Sequence, residues 1–530
     1  MAIKRYLADA DTTITNAFKA DLSTRGTGSN MGGADVLEVF SIYGQASGSA
    51  TVGLSSELTR ALIKFPIEDI QTDRSASTIP RSGSVSFYLK MFNTPHSQTL
   101  PKDFYIMAQA LTRSWEEGTG LDMEQYTDLT YGKKGSTWDF GGTTGSWQNK
   151  GGDFLSLDDD PNAVYKIYFE NGTENIEADI TPLVEKWAND VGSVTPRLLN
   201  YGLILKLSGT LEAYNAQTAT FAVPNVSGAV RSYYTKKFFS RTSEFFFKRP
   251  VIEARWDSSY KDDRGNFQYS SSLAPGPDNL NTLWLYNYVR GQLRDIPEIG
   301  TTGSIMLSIH SGSAINTAPS GGALHIVSAS AITANQNPQA VTGGWYKTGI
   351  YTASFALTAA ATPITTLYDV WSSGTVDSNV FLTKQFHTGT IDASKYEASS
   401  YNPNTAHVIA IDNLKPIYSK KEKARFRLYT REKDWNPTIY TKATADIEYN
   451  IIESASYSIF RIADELEVVP YGTGSDLHTQ LSFDVSGNYF DLDLGMLDSG
   501  YAYGIKFTFY NGSVGAWIEQ PDVFKFRLED

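Results

Sequence analysis

The sequence predicts an all-β chain built from consecutive sandwich domains, and three observations lead there. Aromatic residues are abundant, with 31 Tyr, 27 Phe and 10 Trp beside 43 Gly. Aromatic and β-branched side chains suit a pleated, half-buried surface, and Gly suits the turns between strands. Short runs of alternating apolar and polar residues recur between Gly, Ser, Asn and Asp clusters, as in VLEVFSIYG (Val36 to Gly44) and SVSFYLKMF (Ser84 to Phe92). Tracts rich in Ala, Leu, Glu and Lys are almost missing. At 530 residues the chain is too long for one core, and the usual size of roughly 100–200 residues per domain leads to an expectation of three.

Residues 1–256 read as the first sandwich. Their one helical signal is ADITPLVEKWAND, where Thr181 is placed to cap, Pro182 takes the first helical position, and Leu183, Val184 and Trp187 share a face. Residues 257–300 are rich in Ser, Asp, Gly and Pro before the aromatic run LWLYNYVRGQL, and read as a linker. Residues 301–411 and 412–530 then read as two immunoglobulin-like sandwiches. In LDSGYAYGIKF and WYKTGIYTASF, Tyr503 and Tyr351 each precede an alternating strand. That is the arrangement of a tyrosine corner, whose phenol bonds back to a nearby turn. No fixed-period repeat, heptad or collagen triplet is present.

A formal charge of −13 repels a phosphate backbone, so nucleic acid is not an expected partner. The absence of cysteine removes disulfides, thiolate metal sites and cysteine nucleophiles together. The first residues, MAIKRYLADADTTITNAF, have no apolar core of signal-peptide length, and no window approaches ~18 uninterrupted apolar residues. The expectation is a soluble chain made in a cytoplasm, with no membrane partner. Tandem sandwiches without an export signal fit a virion protein released by lysis. A cytoplasmic β-protein is the plainer alternative.

Few segments carry chemistry. Glu116 and Glu117 in SWEEGTG have the composition of a glycosidase pair, but adjacent strand residues point to opposite faces and cannot flank one bond. Asp158, Asp159 and Asp160 in LSLDDDPNAVYK form an oxygen-rich string that suits calcium, or an ordinary turn. Calcium is the one cofactor in question. RGTGSNMGG (Arg25 to Gly33) lacks the spacing of a dinucleotide loop, and the histidines are scattered without metal-ligand spacing. In SKKEKARFRLYTRE, Lys423, Arg425 and Arg427 share one strand face and Phe426 and Leu428 the other. Such a basic face either guards an exposed strand or docks onto an acidic partner. Trp284, Tyr286 and Tyr288 are further interface candidates, as is the run Phe245 to Phe247, where alternation buries Phe245 and Phe247 together.

Within the first domain, TRALIKFPI, SWEEGTG, STWDFGGT, GGDF, ADITPLVEKWAND and NYGLILKL follow in order. This order resembles DNRLRE-type jelly-roll domains, and FFSRTSEFFFKRPVIEARW is similar to the closing strand of that family. Two departures stand out: Ser240-Arg241-Thr242 replaces the family's Ser-Arg-Glu, and a long insertion follows NYGLILKL. The resemblance implies that SWEEGTG is a sandwich loop, with Trp115 at the edge of the core. Over its whole length, and most in SEFFFKRPVIEARWDSSYKDDRGNF, NTLWLYNYVRGQL and GNYFDLDLGML, the chain also resembles virion structural proteins of tailed phages, especially large contractile-tailed phages of marine bacteria. That likeness implies a non-enzymatic structural component at neck, tail, fibre or capsid, contacting other virion proteins as a homo-oligomer. An array of carbohydrate-binding modules that recognises host cell-surface glycan is the competing expectation.

Overall fold

The computed structural model of the protein describes residues 2–18, 25–43, 56–81, 83–96, 100–121, 135–143, 145–188, 198–209, 211–212, 233–312, 319, 321–328, 339–358, 364, 366–376, 380–395, 406–434, 439 and 449–530. They are nearly all strand and turn, and the chain divides into two compact units, Ala2–Asp257 and Ser258–Asp530.

The first unit holds β1 (Ile3–Leu7), β2 (Ala10–Thr15), β3 (Val36–Tyr43), β4 (Ser56–Lys64), β5 (Ser86–Met91), β6 (Phe104–Ala110), β7 (Val164–Phe169), β8 (Ile176–Asp179), β9 (Leu203–Leu207), β10 (Tyr233–Phe239) and β11 (Val251–Arg255). A four-stranded sheet runs β1-β11-β5-β8 and a seven-stranded sheet runs β10-β3-β4-β9-β6-β7, with β2 on β4. Strand alternation sends Phe87 and Leu89 of one sheet and Ile63, Ile106 and Ala108 of the other into one shared core, which makes a sandwich of the jelly-roll kind. The helix foreseen in ADITPLVEKWAND forms as α2 (Thr181–Ala188), burying Leu183, Val184 and Trp187. Thr181 does not cap it: its hydroxyl accepts from Phe87 N–H at 2.7 Å, and the Tyr165 hydroxyl accepts from Leu183 N–H at 3.2 Å. A second helix, α1 (Ile67–Ser75), has Glu68 and Asp69 in its first turn and Arg74 in its last, as the helix dipole favours. Phe245 to Phe247 is no strand. It enters a 3₁₀ turn at Phe246–Lys248, which leaves Phe245 half exposed against Phe239.

The second unit begins at once with structure. Its strands are β12 (Phe267–Tyr269), β13 (Asn281–Tyr286), β14 (Tyr288–Val289), β15 (Gln292–Leu293), β16 (Ile305–Ser311), β17 (Val341–Lys347), β18 (Ile350–Phe355), β19 (Thr366–Val376), β20 (Val380–Lys395), β21 (His407–Ile411), β22 (Ile417–Ser419), β23 (Lys423–Glu432), β24 (Ala455–Arg461), β25 (Glu467–Val469), β26 (Ser482–Asp484), β27 (Gly487–Asp493), β28 (Ala502–Asn511), β29 (Ala516–Glu519) and β30 (Phe524–Glu529). Residues 257–300 are therefore not a linker. β12 and β13 are the two ends of a seven-stranded sheet, β12-β20-β19-β16-β17-β18-β13, and Phe267 and Leu283 lie in its core. The sheet curls until its ends meet, where the Asn281 side chain bonds both backbone groups of Gln268 at 2.9 Å. The C-terminal sandwich pairs a β21-β23-β27-β26 sheet with a β22-β30-β28-β24-β25 sheet. β21 pairs with β23, so residues 407–411 belong with this sandwich rather than with the one before it.

Both tyrosine corners exist. Tyr503 donates to Asp498 O at 2.7 Å and accepts from Asp498 N–H at 3.0 Å. Tyr351 accepts from Ile296 N–H at 2.9 Å and donates to Gly300 O at 3.2 Å, so it clasps the segment before β16 rather than the turn before its own strand.

Candidate functional site

The sequence candidates from residues 257–300 and from the basic run converge on one joint inside the second unit. β13 alternates so that Trp284 and Tyr286 leave its outer face, away from Leu283 and Leu285. In β23 the same alternation buries Phe426 and Leu428 and turns Lys423, Arg425 and Arg427 outward. β23 is an interior strand between β21 and β27, not a guarded edge.

The ring of Trp284 meets Tyr260 edge-on at 5.0 Å and Tyr346 at 4.9 Å between centroids, and its indole N–H donates to Lys261 O at 2.8 Å. Tyr286 donates its hydroxyl to Tyr489 of β27. Arg425 and Arg427 stand over the Tyr489 ring at 4.3 and 5.4 Å. Each guanidinium is also held by a carboxylate: Arg425 by Asp491 at 2.7 and 2.9 Å, Arg427 by Asp484 at 3.1 and 3.0 Å. Planar donor forks of this kind fix orientation as well as charge. Lys423 sits at the rim against Asp493.

Backbone bonds tie the joint further. Tyr260 N–H donates to Ser482 Oγ at 2.9 Å, Phe483 N–H to Tyr260 O at 2.9 Å, and Asp262 N–H to Phe483 O at 3.1 Å. Residues 260–262 thus extend the C-terminal sandwich before the chain enters the curled sheet. Just beyond, Arg264 is bidentate to Asp369 and also holds Asp262, and Asp369 accepts from the Trp371 indole at 2.7 Å. Burial pushes the Asp262 carboxyl up to about 6 and that of Asp263 up to about 7, and holds the Tyr260 phenol up at about 12.

Trp284 and Tyr286 therefore make an internal contact rather than an open docking face, whereas Arg425 and Arg427 pair within their own sheet and Lys423 and Arg425 stay exposed. Tyr288 is different: it is 62% exposed on the β14–β15 hairpin. Tyr260, Tyr346 and Tyr489 were missing from the sequence reading. Tyr489, Asp491 and Asp493 stand two apart in GNYFDLDLGML, the same alternation that marks Lys423, Arg425 and Arg427 on the paired strand.

The aspartate string does not gather around an ion. Asp159 accepts from Ser156 N–H and Oγ, whereas Asp160 caps Asn162 N–H and pairs with Lys186 at 2.6 Å. Among the described residues no three acids or histidines come together as a metal-holding group, and Asp159 and Asp160 of the string Asp158, Asp159 and Asp160 serve a capped turn.

SWEEGTG is held as a loop. Trp115 donates its indole N–H to Tyr201 O at 2.7 Å, Glu116 accepts from Thr143, and Glu117 turns away to clamp Arg241 at 2.6 Å and accept from Asp11 N–H. Arg241, the middle residue of the Ser-Arg-Thr departure, returns its own N–H to Asp11 at 2.6 Å. Burial pushes the Asp11 carboxyl up to about 7. Asn30 of RGTGSNMGG bonds the backbone of Glu117, Ser136 and Gly120, and a Cβ on Gly118 would collide with it at 2.3 Å.

No protein-family model and no curated protein matches the chain. Among solved structures, Salmonella alpha-2-macroglobulin reacted with methylamine aligns at 7% identity and a TM-score of 0.15, covering 88% of this chain. The chain spans 22% of that protein's length, and a likeness at this level carries no argument.

Proposed function

We propose that this protein is a non-enzymatic structural component of a tailed bacteriophage virion, at neck, tail, fibre or capsid, acting through subunit contacts and released by host lysis. The supporting observation is the Trp284–Tyr489 joint, where the Tyr286–Tyr489 bond and the backbone bonds of Tyr260 and Asp262 to Ser482 and Phe483 tie one β module to the next. The carboxylates that looked catalytic or metal-binding in sequence are likewise tied into turns and loop clamps. Architecture of this kind suits a load-bearing part. Quantitative mass spectrometry and immunogold labelling of gradient-purified particles test the reading. Stoichiometric, localised labelling supports it, and absence from intact particles overturns it.

The competing reading, an array of modules that recognises host glycan, draws on the part-exposed rings of Trp345, Tyr346 and Tyr510. Specific, saturable binding on a glycan array would favour it.

A further inference from the structure

We propose that the β14–β15 hairpin is a docking finger for a second copy of this chain. The hairpin forms a two-stranded sheet of its own, and so short a ribbon is marginal in water without packing. Among the described residues it is hydrogen-bonded to its surroundings at its base: Asn287 N–H donates to Gly349 O at 2.8 Å, its side chain donates to Arg294 O at 2.6 Å, and Arg294 N–H returns to Asn287 O at 3.0 Å. At the tip, Arg290 and Gly291 take φ values of 51° and 77°. Positive φ at both central residues is what the two-residue type I′ turn of a hairpin requires.

The tip presents apolar surface on a segment rich in cations. Tyr288 is 62% and Val289 49% exposed. Arg290 and Arg294 lie on the hairpin, and Lys347 ends β17, just before the turn whose Gly349 receives the Asn287 bond. Of the nearby acids, Glu298 pairs with Lys384, and Asp295, which accepts from the Trp345 indole and Gly349 N–H, leaves the three cations in excess. None of the three cations forms an ion pair among the described residues.

This is an unpaired basic patch on a chain of net charge −13. Another copy supplies an acidic surface that attracts such a patch. The tip is convex, whereas small ligands settle in concave sites, so a protein surface fits it better. Finger against finger would set Arg290 against Arg290. The contact is therefore head-to-tail, the kind that generates rings or filaments. The inference needs only self-association and stands apart from the virion reading.

The test is light scattering of the full-length protein over a concentration series, at ~50 and ~500 mM salt. It compares the unaltered chain with Arg290→Glu, Arg290→Lys and Tyr288→Ser, with circular dichroism to establish that each variant is folded. The unaltered chain is expected to associate at low salt and to weaken at high salt. Arg290→Glu and Tyr288→Ser should raise the half-association concentration by roughly tenfold or more, while Arg290→Lys stays within about threefold. A monomer at every concentration overturns the proposal, and so does association that neither Arg290→Glu nor Tyr288→Ser weakens. Failed particle labelling beside finger-dependent association would remove the virion reading and leave the finger standing.

Discussion

Replacing Trp284 by alanine asks whether the joint makes the second unit cooperative. The indole is 8% exposed, so nearly its whole surface leaves water on folding. A buried aromatic of this size covers on the order of 200 Å², which at about 25 cal/mol per Å² amounts to roughly 5 kcal/mol as an upper bound. The substitution also removes two edge-on aromatic contacts and the donor to Lys261 O. Measured losses for buried tryptophan are about 3–5 kcal/mol, so ~4 kcal/mol is expected. In a unit of this length each kcal/mol shifts the midpoint by about 2–4 °C, for a total near 10 °C. Differential scanning calorimetry of the full chain should show one transition falling by that amount while the transition of the Ala2–Asp257 unit stays put. A shift under ~2 °C would refute the energetic argument. Splitting of the second unit's transition into two unequal parts in the unaltered protein would refute its cooperativity.

Glu212 accepts from Arg60 at 2.7 Å and from Lys206 at 3.1 Å with all three side chains buried, so Glu212→Ala strands two cations and should cost the first unit about 3–5 kcal/mol in urea unfolding. Tyr503→Phe removes both bonds of the C-terminal corner, and a loss of about 1–2 kcal/mol is expected from chemical denaturation. Burial raises Asp263 from 3.8 to about 7, so the folded state holds its proton more tightly than the unfolded chain does. Its contribution is full below the unfolded value and is lost as pH rises through 7, so the second unit's midpoint should fall between pH 4 and pH 7 on this account, and Asp263→Asn should flatten that slope. A midpoint in the variant that tracks the unaltered protein across that window would assign the slope to other groups.

What the sequence carries about this fold is its periodicity. Alternation is a local property, so SVSFYLKMF and KARFRLYTRE announce both strand and buried face before any partner is known. Residues 257–300 defeated the same reasoning for a physical reason. Their strands are short, and much of their backbone is satisfied by side chains such as Asn281, Asp263 and Ser482 rather than by long ladders. Asn, Asp and Ser bonding backbone locally is also what a loop looks like, so composition could not separate the two. α1 was hidden similarly: Ile67 and Ile70 bury only one side of a short helix, leaving too weak a pattern to register, though Glu68, Asp69 and Arg74 were placed to be read.

The joint shows where such reading reaches its limit. Each half was legible, aromatic on β13 and basic on β23, yet each half alone has the composition of a surface for a partner protein. Aromatic rings flanked by arginines satisfy the same physics whether the second surface belongs to another chain or lies two hundred residues along the same one. The bond from Tyr286 to Tyr489 decides between them, and it depends on which β module packs beside β27, a tertiary property. Tyr288, two residues beyond Tyr286 but past the end of β13, escapes that packing and keeps its ring in solvent. Of the three aromatic interface candidates, it is the one whose exposure still leaves an outside partner to be found.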